Sequence, residues 1–323
     1  MKWIKYLFLS LLIVAIVFLV AGYFMVTRKM TPPPNYLHVS DNSDGIPITW
    51  WQDESSEIAA LLLPIRVPGV KKTLYMQFDL GSPSTLFYRR TLNDLKSHLP
   101  SLNFELDSTN YLFNFSFEME KITVNATKFR MIDYGSLINW KDSTSLNIIG
   151  TIGSDLIEKK VTLLDFISDT CYFGTLRTDT DIYESLDDFS FNYRWVFLPA
   201  VIDGKKRKLW YDTGTSGFEL LTSKTQWKNM SKRGATPVSN DVNSWGNAIK
   251  THTIAADGTI RFGKTNVKLN SVTYVEGHSF LQEVIARATG MGGMIGNKIF
   301  MNKQVLIDGK SRKFGVFDHD DGH

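Results

Sequence analysis

YMQFDLGSPSTLFY (residues 75–88) is the stretch that decides the fold. An apolar run enters Asp79, Gly81 stands two places on, and a second apolar run leaves after Ser82. Alone, an Asp-x-Gly triplet closes many surface turns, because glycine reaches the positive φ such turns need. The stretch gains meaning by recurring. LWYDTGTSGFELL (residues 209–221) repeats its order through Asp212, Gly214 and Thr215. The likeness also extends upstream. The segments beginning at Leu61 and Val196 each read apolar strand, Leu-Pro, apolar strand, Gly, a lysine pair and a second apolar strand.

A second block follows each copy. IGSDLIEKKVTLLD (residues 152–165) aligns without a gap to IGNKIFMNKQVLID (residues 295–308). Two copies of a two-part signature in the same order imply an internal duplication. The expected organisation is an N-terminal lobe over residues 58–180 and a C-terminal lobe over residues 196–318. A connection at 181–195 joins them, and a tail at 319–323 ends the chain. Short alternating apolar runs dominate both lobes. Phe113, Phe115, Phe117 and Met119 alternate with Asn114, Ser116, Glu118 and Glu120, which predicts a half-buried strand. Helical periodicity is confined to residues 91–98 and 280–288, so the body reads as mostly β.

Apolar-Asp-Thr-Gly-Thr/Ser, followed later by Ile-Gly and an apolar strand, resembles the aspartic peptidase superfamily, which includes pepsin-like and retropepsin-like members. Two lobes in one chain resemble the pepsin-like branch, and their shortness resembles a compact bacterial type. The resemblance covers about residues 58–317. It implies two pseudo-symmetric barrel lobes with a central cleft, and a catalytic pair, Asp79 and Asp212. Two carboxylates held close can share one proton, so that one acts as general base on water and the other as general acid. It further implies that Gly81 and Gly214 permit the turns and that Ser82 and Thr215 hydrogen-bond the outer carboxylate oxygens. Ile152-Gly153 and Ile295-Gly296 would cross beneath the loops in a ψ-shaped topology. In the family a Thr or Ser between Asp and Gly braces each loop against the other. Thr213 keeps that residue type and Leu80 departs from it. A flap hairpin is expected near residues 113–126, which lack the usual Tyr; Tyr134-Gly135-Ser136 resembles a flap tip locally but comes late in the lobe, and an ordinary turn is the favoured reading of it.

Two functional readings follow. One is an aspartic endopeptidase acting on extended polypeptide; the other is a catalytically impaired peptide- or protein-binding module on the same fold. No cofactor or metal is expected.

The N-terminus adds a membrane. Residues 7–26 are almost uninterruptedly apolar, about the ~20 residues that span a bilayer as a helix. Trp3, Tyr6 and Tyr23 stand near its ends, where aromatic rings favour the interface. A cleaved signal peptide is the rival reading, but its apolar region runs only ~7–15 residues. Residues 1–30 are therefore expected to be a retained single-pass anchor that exports the body, to the periplasm if the host is bacterial. TPPPN begins an extended linker over residues 31–57.

Composition excludes other classes. A formal net charge of +3 with scattered basic residues argues against nucleic acid. The run KKRK (residues 205–208) follows the turn signal Asp203-Gly204 and reads as a solvated hairpin tip. One cysteine, Cys171, forbids an internal disulfide and reads as a small buried hydrophobe.

Overall fold

The computed structural model describes residues 31–40, 44–174, 183–244, 246–277 and 291–318. The apolar span at 7–26, the helical pattern at 280–288 and the tail at 319–323 lie outside these residues. Among the described residues, no helix is long and apolar enough to cross a membrane. The body below belongs to the compact unit of residues 35–323.

The first half begins with β1 (Leu37–Val39), β2 (Ile46–Pro47), β3 (Thr49–Trp51), β4 (Ala60–Ile65), β5 (Leu74–Phe78) and β6 (Leu86–Tyr88). Helix α1 (Arg89–His98) comes next, burying Leu92 and Leu95 one turn apart. Then come β7 (Glu105–Leu106), β8 (Tyr111–Phe113), β9 (Ser116–Met119), β10 (Ile122–Ala126) and β11 (Phe129–Ile132). β12 (Ile148–Ile152), β13 (Val161–Asp165) and β14 (Thr170–Gly174) complete it.

The second half runs through β15 (Asp187–Asp188), β16 (Ser190–Asn192), β17 (Trp195–Ile202) and β18 (Lys205–Tyr211). After α2 (Lys224–Met230) come β19 (Val238–Ser244), β20 (Asn247–Phe262), β21 (Thr265–Val275) and β22 (Met291–Ile295). β23 (Gln304–Asp308) and β24 (Lys313–Phe317) close the fold.

The architecture is mostly β, as the alternation predicts. In β17, Val196, Leu198, Ala200 and Ile202 turn inward while the residues between them are partly exposed. The repeated Leu-Pro has a structural reason. Pro64 pairs with β5 just beyond the end of β3, and Pro199 falls between the stretches of β17 that pair with β16 and β20. Proline, which has no N–H to donate, is tolerated where the neighbouring strand has ended.

The duplication is visible in the pairing. β5 runs parallel to β12 with Phe78 opposite Ile152, and β18 runs parallel to β22 with Tyr211 opposite Ile295. On the far side, Leu86 pairs antiparallel with Thr151, and Leu221 with Met294. A six-stranded sheet ordered β15-β24-β23-β13-β14-β2 joins the halves. In it β13 and β23 are antiparallel, with Leu163 opposite Leu306. These two leucines occupy the same place in the aligned blocks, so the pseudo-twofold axis passes between them. Asp165 Oδ1 accepts from the amides of Ile167 and Ser168, and Asp308 Oδ1 from Lys310 and Ser311. The same turn is thus built twice.

Several boundaries shift. The extended linker expected over 31–57 contains β1, β2 and β3, each paired into the body, and the connection expected over 181–195 contains β15 and β16. Strands of two or three residues carry too little alternation to be read from sequence. Asp203 and Gly204 do make the hairpin turn, with φ of 49° and 71°, but the basic run after them is the start of β18. The hairpin β9–β10, where a flap was expected, pairs with β1 and buries Phe117, Met119, Ile122 and Val124. Cys171 is buried.

Candidate active site

Each aspartate sits at the end of a strand whose last residue pairs with the isoleucine of an Ile-Gly. The Asp79 amide donates to Ile152 O at 3.0 Å and the Asp212 amide to Ile295 O at 2.9 Å. The chain then turns sharply, the Ser82 amide donating to Asp79 O and the Thr215 amide to Asp212 O, both at 3.1 Å. The Ile-Gly glycines pass directly beneath. A methyl group on Gly153 would strike the backbone of Ser84, and one on Gly296 the backbone of Thr215.

The two turns face each other. Gly81 N donates to Asp79 Oδ1 at 2.8 Å and across the lobes to Asp212 Oδ1 at 3.1 Å. Gly214 N donates to Asp212 Oδ1 at 2.8 Å. A Cβ on Gly81 would lie 2.5 Å from Asp212 Oδ2, and one on Gly214 2.5 Å from Asp79 Oδ1. Neither glycine has a positive φ. Their requirement is therefore room for the opposite carboxylate rather than the turn geometry expected for them.

Asp79 and Asp212 are both buried, each carboxylate packed against the other loop's glycine. Burial pushes both carboxyls up, and the charge of Asp79 pushes Asp212 further. Two unit charges ~4 Å apart repel by about 4 kcal/mol at an effective dielectric near 20. Repulsion of that size favours a pair that shares one proton over a pair that is doubly ionised.

The supporting residues divide. Thr213 Oγ1 accepts from Leu80 N at 2.9 Å and donates to Phe78 O at 2.7 Å, so its side of the brace is made. Leu80 makes no counterpart; its side chain is fully buried in the core. Burying a leucine stabilises by ~1.5–3 kcal/mol, against ~0.5–1.5 kcal/mol for a typical hydrogen bond. Leu80 thus holds the loop in place by burial and adds no directional restraint of its own. The hydroxyls of Ser82 and Thr215 do not take the expected outer carboxylate oxygens. Ser82 Oγ donates to Ser84 O and Thr215 Oγ1 to Asp212 O, and it is the Ser82 amide that reaches Asp79 Oδ1, at 3.2 Å. Both hydroxyls are drawn back to nearby carbonyls of their own loops.

Several residues at the site carry no motif. Tyr88 OH bonds Thr151 Oγ1 at 2.7 Å, beside the crossing Ile152. Burial raises its pKa, and the charge of Asp79 adds to the rise. Tyr134, read as an ordinary turn residue, meets the Tyr88 ring edge-on at 4.9 Å. Behind the Asp79 loop, buried Asp155 accepts from Thr85 N and Oγ1. Burial pushes its carboxyl up to about 6.

A cleft of about 1330 Å³ opens beside Gly214 and Thr215. Trp195, Phe197, Trp210 and Phe218 line it, as do β19 and β20 residues such as Val242 and Ile249; Ser56 and Ala59 approach from the first lobe. Small-molecule pockets are typically ~300–1,000 Å³, and this space exceeds that range. Among the described residues, no group of three or more His, Cys, Asp and Glu could hold a metal ion.

No family model matches the sequence, and no curated protein matches it. Among solved structures, the chain is similar to the crystal structure of an aspartic proteinase from Irpex lacteus. The identity is 11% and the TM-score 0.47, over 86% of this chain and 97% of that one.

Proposed function

We propose that the chain is an aspartic endopeptidase in which Asp79 and Asp212 hydrolyse peptide bonds of an extended polypeptide. The observation that carries this reading is the reciprocal seating of each carboxylate against the other lobe's glycine. The ionised carboxylate of the pair takes a proton from water as the water oxygen attacks the amide carbon. The protonated carboxyl gives its proton to the substrate, and the C–N bond then breaks to leave a carboxylic acid and an amine. The cleft beside Gly214 would hold the substrate chain. Residues 7–26 would tether the enzyme to a bilayer, with the body outside the cytoplasm and in the periplasm of a bacterial host.

The test is cleavage of unstructured polypeptide by the purified full chain. Wild type should cleave, whereas Asp79→Asn and Asp212→Asn should each lose activity, because neither carboxyl can act as both base and acid. Leu80→Thr should keep or raise activity. Inactivity of both wild type and Leu80→Thr would favour the peptide-binding module, for which the single-sided brace at Thr213 is the specific support.

A further inference from the structure

The geometry points to Arg194 as a positioning residue that clamps the Asp79 loop to the second lobe, standing in for the brace that Leu80 does not make. This rests on the peptidase reading. Arg194 belongs to the turn joining β16 to β17, yet its guanidinium is buried in the first lobe. Nη1 donates to Pro83 O at 3.2 Å, and Nη2 pairs with Glu158 Oε2 at 3.3 Å. Pro83 follows Ser82, whose amide reaches Asp79 Oδ1, and Asp155 holds Thr85 two residues later. The limb of the loop leaving Asp79 is therefore gripped at four points: by Thr213, by its own aspartate, by Arg194 and by Asp155. Asn35 closes the rear of the cluster, its Nδ2 donating to Asp155 O and Glu158 Oε2.

The turn places the side chain. Tyr193 and Arg194 have φ of 56° and 64°, the left-handed pair that a two-residue hairpin loop between Asn192 and Trp195 requires, although neither is a glycine. The pseudo-symmetry supplies a control inside the molecule. The matching connector in the first lobe, between β3 and β4, also reaches the opposite aspartate loop, where a Cβ on Gly217 would lie 2.9 Å from Ser56 Oγ. Both connectors press across the interface, and in this pair it is the loop carrying Leu80 that receives an arginine. The loop whose own Leu80 supplies no hydroxyl across the interface is the loop that Arg194 holds from the other side.

A double-mutant cycle on the full chain tests the substitution of one brace for the other, using Arg194→Met, Leu80→Thr and the pair, with a peptide substrate. Arg194→Met should lower kcat about tenfold or more with KM within about twofold, as for a displaced reacting group. Leu80→Thr should recover most of that loss in the double variant, and Arg194→Lys should recover part of it. Equal kcat losses from Arg194→Met in the wild-type and Leu80→Thr backgrounds would overturn the proposal. So would a lowered unfolding midpoint with kcat unchanged. Carboxyl ¹³C titration of Asp-labelled protein separates this proposal from the peptidase reading. If wild type cleaves nothing, a pair titration shifted by Arg194→Met and restored by Leu80→Thr still supports the clamp and rejects only peptidase activity. A titration indifferent to Arg194 rejects the clamp.

Discussion

Replacing Gly214 with alanine tests the meeting of the lobes through a single methyl group. Its Cβ would lie 2.5 Å from Asp79 Oδ1, 2.7 Å from Cγ and 2.9 Å from Oδ2. Ordinary contact begins near 3.4 Å, so the carboxylate must retreat by about 0.9 Å. The backbone at Gly214 does not have a positive φ, so strain there does not confound the result. Overpacking of this kind costs ~1–3 kcal/mol, and a displacement near 1 Å at a reacting group costs ~10²-fold in rate. Gly214→Ala should therefore lower stability by about 1–3 kcal/mol in urea unfolding and turnover by about 10²-fold. Gly258→Ala is the control, since its Cβ would meet Leu269 no closer than 3.8 Å. It should stay within about 1 kcal/mol of wild type. Wild-type stability and turnover in Gly214→Ala would refute the seating of Asp79 against that glycine.

Asp155 has a folded pKa of about 6, above its unfolded value, so the folded state binds more protons across that interval. Its contribution to stability should fall as pH rises from about 4 to 6, by on the order of 2 kcal/mol. Urea unfolding across that range should show the limb flattened in Asp155→Asn. At Asp165 and Asp308 burial opposes the charge, but hydrogen bonds outweigh it and lower both pKa values. Their stabilisation is present above the unfolded carboxyl pKa and is lost as pH falls through the folded one. Asp165→Ala and Asp308→Ala should each cost about 1–3 kcal/mol at neutral pH; a cost at only one would contradict their equivalence. The full chain should fractionate with membranes and a fragment starting at residue 31 should not; a soluble mature form beginning near Tyr23 would contradict the anchor.

The duplicated blocks were legible because their side chains serve the same contacts twice. Asp79, Asp212, Gly81 and Gly214 share one order, and the gapless match of 152–165 to 295–308 anticipates the Leu163–Leu306 pairing. What was illegible depends on distance or rotamer. β2 and β3 are too short to show alternation, so they passed for linker. The Ser82 and Thr215 hydroxyls have the right chemistry but rotate to nearby carbonyls, which residue type does not reveal. Arg194 and Asp155 lie far in sequence from the loop they hold, and only the fold brings them to Pro83 and Thr85.

The most direct test of the shared-proton pair is the pH dependence of kcat/KM for peptide cleavage by wild type. Two interacting carboxyls titrate with two apparent pKa values that belong to the pair. Activity requires the singly protonated form, so the profile should be bell-shaped, falling on the acid side when both carboxyls hold protons and on the alkaline side when neither does. A profile governed by a single ionisation, or cleavage persisting with the same profile in Asp79→Asn or Asp212→Asn, would contradict the account.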